Sequence, residues 1–414
     1  MQDAPHTVVQ SWLRLDSGNG CRWAVAGWEA PTNNRTDHPD DPKGVRLMSD
    51  LATTVTVIDA CGRAAVPVLL LSDPGMGKSS LVRGIAAAEG VPCETVLGSI
   101  REPADVAGLP LVTDDGVILS PPAFARRLST EGAGYLFLDE LTTCPPAVQA
   151  AMLALALDRT VGDLTLPVGV RVVAGANPPD RAADGWEISP PLANRFCHVE
   201  FRPSVDEWLD GMTVGWAAPP ASRAITADPT RIEAVKALVT GFIRHKPEHL
   251  HTFPRTAEAT GKPWPSRRTW AMLAGALANV RDDDAAARQG ITFGLVGEGV
   301  GVEFLTWCEQ ADLPDPAAVV EDPALVDWTD RPDRVWAVLS SVVGWAASAG
   351  TVEAWRKAWG PLLAAAEAGA PDVSAAAARP LAACRPSSAR VPAAVRDRFA
   401  PVLAAAGLSA AGAA

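Results

Sequence analysis

Residues 66–85 read VPVLLLSDPGMGKSSLVRGI, and this stretch decides the fold. Val66 to Leu71 is a short apolar run bounded by turn residues, as expected of a parallel strand buried on both faces. From Ser80 onward apolar residues recur at helical spacing, so a strand enters a tight loop and leaves as a helix. Gly75 and Gly77 let the loop curl until its N–H groups converge on an anion, and the helix adds its positive end. Asp73, Pro74, Gly75, Met76, Gly77, Lys78, Ser79 and Ser80 therefore form the candidate segment for a nucleoside triphosphate. Lys78 reaches the β- and γ-phosphates in this reading, and the Ser79 hydroxyl ligates Mg²⁺. The pattern G-x-x-x-x-G-K-[ST] opens on glycine, where this chain has Ser72. Both glycines that approach the phosphates are kept, so binding is expected to survive.

Downstream, GYLFLDEL (134–141) is a second buried-strand run that ends in two acids. Acids at the carboxyl end of a parallel strand lie where open α/β sheets bind ligands. Successive side chains on a strand point to opposite faces, so the two carboxylates can take different roles. Asp139 suits the Mg²⁺ shell, directly or through water, and Glu140 suits the polarisation of an attacking water. Val170 to Ala174 is a further strand and runs into Gly175-Ala176-Asn177, which places a neutral hydrogen-bonding side chain at a strand end. Asn-Pro by itself is a common turn opener; behind the acidic strand, Asn177 is read as orienting water or phosphate. Arg195 stands just before the strand Phe196 to Phe201, where it serves either structure or the γ-phosphate of a neighbouring subunit.

The remaining segments are read in the same way. A helix over 48–61 leads into the first strand, and Pro92 to Leu97 is a second strand. Two hairpins are signalled, one in LPLVTDDGVILSPP (109–122) through Asp115-Gly116 and one in RTVGDLTLPVGV (159–170) through Gly162-Asp163. Phe124 to Leu128 and Pro146 to Asp158 read as helices. Beyond residue 203 strand runs stop, and helices are expected at 230–244, 266–280 and 284–289. GLVGEGVGVEFLTW (294–307) lacks a following GK[ST] and is read as the start of a helix, not as a second nucleotide loop. Residues 311–414 read as wholly helical, most clearly at 332–347 and 351–368. Trp328, Trp336, Trp345, Trp355 and Trp359 are expected between helices, and the final SAAGAA is expected to fray.

Composition bounds the function. The 414 residues are 48% hydrophobic, enough for two or three packed domains. A formal net charge of −12 gives no general attraction to nucleic acid or anionic lipid. Seven cysteines stand without C-x-x-C or Cys/His clustering, which argues against a disulfide framework or a zinc site. The N-terminus has no basic start followed by an apolar stretch, and no apolar run reaches spanning length, so a cytoplasmic protein with no membrane role is expected.

SDPGMGKSS (72–80), YLFLDEL (135–141), VVAGANPP (172–179) and SPPLANRF (189–196), followed by helices carrying SRRTW (266–270), together resemble AAA+ ATPases of the MoxR type and their McrB-like and GvpN-like relatives. The resemblance covers residues 48–310. It implies an α/β P-loop nucleotide-binding domain with a parallel sheet over 48–202 and a helical lid over 203–310. An all-α C-terminal extension over 311–414 and an N-terminal segment over 1–47, with its polar Pro-rich loop, fall outside it. In the family the two hairpins correspond to insertions that face the ring axis or a partner. By the same resemblance Asn177 is the sensor that positions water and Arg195 is an arginine finger acting on the adjacent subunit. Arg268 is the lid arginine that senses the γ-phosphate. Family members more often have Ser-Pro-Arg where this chain has Ser266-Arg267-Arg268, so Arg267 stays an alternative for that role.

The expected function is ATP hydrolysis with ATP and Mg²⁺ as cofactors, in a homo-oligomer that the resemblance makes a hexameric ring. Its expected work is remodelling or maturation of a protein client, in the family often one with a von Willebrand A domain. Two other classes remain open at this stage: a nucleotide-gated scaffold with little hydrolysis, and a nucleic-acid motor of the McrB kind. The Asp139-Glu140 pair counts against the first, and the acidic balance counts against the second.

Overall fold

The computed structural model describes residues 50–114, 116–178, 186–311 and 313–407. The stretch with Trp12, Trp23 and Trp28, Asp115 of the first hairpin turn and the terminal SAAGAA lie outside them. The strands are β1 (Val68–Leu71), β2 (Cys93–Leu97), β3 (Leu109–Thr113), β4 (Gly116–Ser120), β5 (Ala133–Asp139), β6 (Thr160–Val161), β7 (Leu164–Thr165), β8 (Gly169–Ala176) and β9 (Cys197–Glu200). Up to residue 214 the helices are α1 (Leu51–Arg63), α2 (Lys78–Glu89), α3 (Pro103–Ala107), α4 (Ala123–Glu131), α5 (Pro146–Asp158), α6 (Pro190–Ala193) and α7 (Val205–Val214). Then follow α8 (Pro229–His245), α9 (Ala257–Thr260), α10 (Arg267–Ala278), α11 (Ala285–Val296) and α12 (Glu298–Ala311). The last helices are α13 (Pro316–Glu321), α14 (Pro332–Ala349), α15 (Val352–Lys357), α16 (Trp359–Glu367), α17 (Pro371–Ala383) and α18 (Ala393–Ala405).

Five strands form one parallel sheet in the order β2-β5-β8-β1-β9. Its apolar runs are continuous because each strand is covered on both faces. Val68 and Leu70 face one core with Tyr135, Phe137 and Val173, together with α1, α2, α8 and α10 to α12. Leu69, Leu136, Leu138, Val172 and Ala174 face the other, with α4, α5 and α6. The period-two alternation along each strand thus divides one apolar run between two layers. β3 pairs with β4 and β6 with β7 as separate antiparallel hairpins, as their turn residues predict. Asp163 ties the two together, since its carboxylate accepts from the Leu119 N–H and its own N–H donates to the Leu119 carbonyl.

α13 to α18 surround a core of their own. Trp355 and Trp359 meet edge to face there with centroids 5.6 Å apart, and Trp328 is buried with them. Trp336 and Trp345 pack on the same core, and the Arg244 guanidinium of α8 lies 4.8 Å from the Trp336 ring centre. Two expectations are corrected. The single helix read over 351–368 is two, α15 and α16, with Ala358 between them. Pro361 is the reason: in an unbroken helix its ring would press on the Lys357 carbonyl and its missing N–H would cost a bond, whereas a new start at Trp359 puts it in a first turn. The helix read over 284–289 runs on to Val296, and Gly297 at φ +80° then separates it from α12. α7 was not read at all, although Ser204 and Glu207 form a reciprocal capping box at its start.

Candidate functional site

The strand order builds the site. β8 lies between β1 and β5, so the phosphate loop after β1, Asn177 after β8 and the two acids ending β5 come out side by side at one edge of the sheet. In the loop Gly75 and Gly77 sit at φ +80° and +90°, a left-handed conformation that a side chain would resist. Gly77 is the residue before α2, and the first helical N–H to find an acceptor is that of Leu81, on the Gly77 carbonyl. Among the described residues the N–H groups from Gly75 to Ser80 have no acceptor. Six donors without an acceptor at a helix start favour an anion.

Lys78 is buried over this cradle. Its ammonium donates to the Ser72 carbonyl at 3.1 Å, the Ser72 hydroxyl at 3.0 Å and the Asn177 amide oxygen at 2.7 Å. Burial pulls its pKa below the ordinary lysine value, against the opposing pull of Asp139 and Asp73. Ser72 thus replaces the expected glycine with a side chain that contacts the lysine. The Ser79 hydroxyl donates to the Asp139 carboxylate at 2.8 Å. Gly175, beside Asp139 in the sheet, leaves it room, because a Cβ there would stand 2.9 Å from Asp139 Oδ1. Glu140 adopts a left-handed backbone at φ 59°, ψ 42°, and its Oε2 accepts from the Ser99 hydroxyl at 2.5 Å. Thr142 holds the Asn177 backbone at both ends. Its hydroxyl donates to the Asn177 carbonyl at 3.1 Å and accepts from the Asn177 N–H at 3.2 Å.

The arginines form a second group. Arg195 is half-buried, and its Nη1 donates to the Pro191 carbonyl at 2.5 Å. Its pKa is lowered first by burial and then by repulsion from Arg268, so the two guanidiniums are neighbours. The preceding Asn194 explains how they come together. Its Nδ2 donates to the Trp264 carbonyl at 3.1 Å, and its Oδ1 accepts at 2.8 Å from the hydroxyl of Ser266, which also caps α10. α10 carries Arg267 and Arg268 in its first turn, both exposed. Among the described residues no hydrogen bond or ion pair joins Arg195, Arg267 or Arg268 to the Lys78 cluster, or any of them to a carboxylate.

Ser72, Ser99, Thr142 and Asn194 were not read as site residues. Only Ser72 had a signal, as the departure from glycine; the others are recognised through contacts spanning 35 to 72 residues of chain. Among the described residues no cluster of three or more His, Cys, Asp or Glu could hold a metal. A magnesium ion bound with a triphosphate does not need one, since it keeps water and takes one or two protein oxygens. The Ser79 hydroxyl and Asp139 carboxylate are hard oxygen donors of that kind. No helix among the described residues is long and apolar enough to cross a membrane.

Residues 67–196 match the family model described as an AAA domain of the dynein-related subfamily. Among solved structures, a protein of Cytophaga hutchinsonii provisionally named an ATPase is similar at 14% identity, over 60% of this chain and 86% of that one, with a TM-score of 0.38. No curated protein matches the chain. The sheet order and the donor-rich loop with Lys78 fall within the residues that match the AAA domain, so this part of the chain has an AAA+ nucleotide-binding fold, α/β and extended by helices.

Proposed function

We propose that the chain is a Mg²⁺-dependent ATPase of the MoxR type, which assembles as a ring and couples hydrolysis to the remodelling of a protein client. The observation that carries this reading is the Lys78 cluster: unsatisfied loop N–H groups, a buried ammonium, and Asp139, Glu140 and Asn177 at adjacent strand ends. The loop N–H groups and Lys78 bind the phosphates and leave the γ-phosphorus at the sheet edge. Asn177 gives up Lys78 to the nucleotide and orients the attacking water with its amide. Glu140 Oε2, oriented by Ser99, takes the proton of that water as its oxygen bonds to phosphorus and the bond to ADP breaks. Ser79 and Asp139 would hold the magnesium ion, which offsets the negative charge of the phosphates. Arg195 and Arg268, neighbours with no contact to their own Lys78 cluster, stabilise charge on the nucleotide of an adjacent subunit.

Steady-state hydrolysis against protein concentration, with solution mass recorded alongside, tests the reading. Specific activity should rise with assembly. Lys78→Ala should lose nucleotide binding, and Arg195→Ala should bind nucleotide without turning it over. Mixing these two inactive chains should restore part of the activity, because each supplies what the other lacks. Turnover retained in Lys78→Ala would end the assignment of this site, and an inactive mixture of co-assembled chains would end the shared-site arrangement.

A further inference from the structure

α7 is an amphipathic helix turned the wrong way for a lone chain. Val205, Trp208, Leu209 and Met212 follow the i, i+3, i+4, i+7 spacing of a buried stripe, yet all four are exposed, Val205 at 73% and Met212 at 61%. Trp216 folds back over Gly211 and is itself 69% exposed. A contiguous apolar face of this kind marks a contact surface. Its place in the fold says where. Glu200, the last residue of β9, is level with Leu71, the last of β1, and the Phe201 N–H donates to the Leu71 carbonyl. The chain therefore leaves β9 level with the start of the phosphate loop and enters α7 four residues later.

Charge narrows the partner. Asp206 and Asp210 on α7 make no ion pair among the described residues, and neither do Arg195, Arg267 and Arg268 at the α6 and α10 end. One chain thus carries an apolar-acidic patch on the helix that follows β9 and a separate arginine patch, in which Arg195 feels the Asp158 carboxylate while Arg267 and Arg268 have no ion pair among the described residues. Two different patches that complement each other make a head-to-tail contact, which closes into a ring when the rotation allows. Among the described residues the Lys78 cluster holds no arginine, and this contact would bring one to it.

We infer that α7 is the apolar half of the contact between successive copies of this chain, seated against the Arg195, Arg267 and Arg268 end of the next copy. The inference rests on the shared-site reading above. Full-length protein carrying Trp208→Ser and Met212→Ser tests it, with mass measured by sedimentation over a range of concentrations, with and without ATP and Mg²⁺. Both residues are exposed, so their loss leaves the cores intact. The wild type should assemble, and the double variant should need at least tenfold more protein to do so. Nucleotide affinity in dilute protein, read with a fluorescent ATP analogue, should stay the same. Asp206→Lys with Asp210→Lys should weaken assembly in the same direction, whereas Val112→Ser on the exposed β3–β4 hairpin should not. A wild type that stays monomeric, α7 variants that assemble like wild type, or an equal effect of Val112→Ser would overturn the inference. Failure of the wild type to bind the ATP analogue would instead strike the nucleotide reading, and assembly without nucleotide would still decide the role of α7.

Discussion

The Lys78 ammonium lies 2.7 Å from the amide oxygen of Asn177, across 99 residues of sequence. The contact exists because β8 is inserted between β1 and β5, and it holds the lysine by groups that a triphosphate must displace. Burial has already lowered the Lys78 pKa, and a bound polyanion raises it again. The lysine therefore takes up a proton on nucleotide binding at alkaline pH. Affinity should fall as pH rises, beginning below the pH at which an ordinary lysine titrates, and Lys78→Arg should lack that fall. Calorimetric titration with ATP in buffers of different ionisation heat checks both; identical alkaline profiles for the two proteins would rule the linkage out.

Thr142 touches Asn177 only through its backbone, so it acts as a positioning residue. Thr142→Val keeps the shape and removes both hydrogen bonds. A misplacement of about 1 Å costs on the order of 10²-fold in rate, so kcat should fall by about 10- to 100-fold while KM is held. Thr142→Ser should restore it. An equal loss in the serine variant would show that packing, not the hydroxyl, supports Asn177.

Glu140 combines a chemical role with a strained backbone. Glu140→Gln should bind nucleotide normally and lose about 10²- to 10⁴-fold in turnover, the usual worth of a general base. The left-handed conformation costs a non-glycine residue roughly 1–2 kcal/mol, which glycine escapes at the expense of about 0.4–1 kcal/mol of unfolded-state entropy. Glu140→Gly should therefore be more stable than Glu140→Ala by about 1 kcal/mol, although both lack the carboxylate. Urea denaturation of the two variants decides it; an alanine variant at least as stable as the glycine one would mean that the site relaxes.

Much of this site was legible because buried parallel strands read as unbroken apolar runs that end in polar groups. Leu71 and Asp139 could be placed at strand ends from the residues alone, and so could the loop that follows the first, whereas the strand read to Ala174 runs on to Ala176. Strand order could not, since nothing local states that β8 separates β1 from β5. The partners of the candidate residues were hidden for the same reason: Ser99 on Glu140, Thr142 on Asn177 and Asn194 on Ser266 are all contacts made by tertiary packing. α7 escaped for a different reason. It follows a strand and precedes a long irregular stretch, so its capping box and the spacing of Val205, Trp208, Leu209 and Met212 stand isolated in one ten-residue segment.

Ser72 departs from the usual glycine, and its hydroxyl accepts from Lys78 and donates to the Asp73 carbonyl. Ser72→Gly should lower the stability of the nucleotide-free protein by about 1.5–3 kcal/mol, the net worth of a hydrogen bond to a charged group. It should leave ATP affinity equal or tighter, because Lys78 is held by one group fewer. Thermal unfolding with and without ATP separates the two effects. Weaker affinity in the glycine variant would mean that the hydroxyl contacts the nucleotide as well as the lysine.

His198 supplies the acid limit of the fold. Its ring is buried on β9, with Nε2 facing the Ala193 carbonyl at 2.9 Å and Nδ1 without a hydrogen-bond partner among the described residues. Burial pushes the imidazole pKa down to about 4. The folded value is below the unfolded one, so the neutral ring contributes stability that is full above pH about 6.5 and is lost as pH falls through 4. A shift of roughly 2.5 units at about 1.4 kcal/mol each puts the loss near 3 kcal/mol. His198→Phe keeps a ring of similar size and cannot titrate, so between pH 6.5 and 4 its stability curve should be flatter by about that amount. The carboxylates common to both proteins cancel in the comparison. The contact with the Ala193 carbonyl favours the protonated ring and opposes the effect of burial only in part. A His198→Phe curve as steep as that of the wild type between pH 6.5 and about 4 would mean that His198 does not set the acid limit.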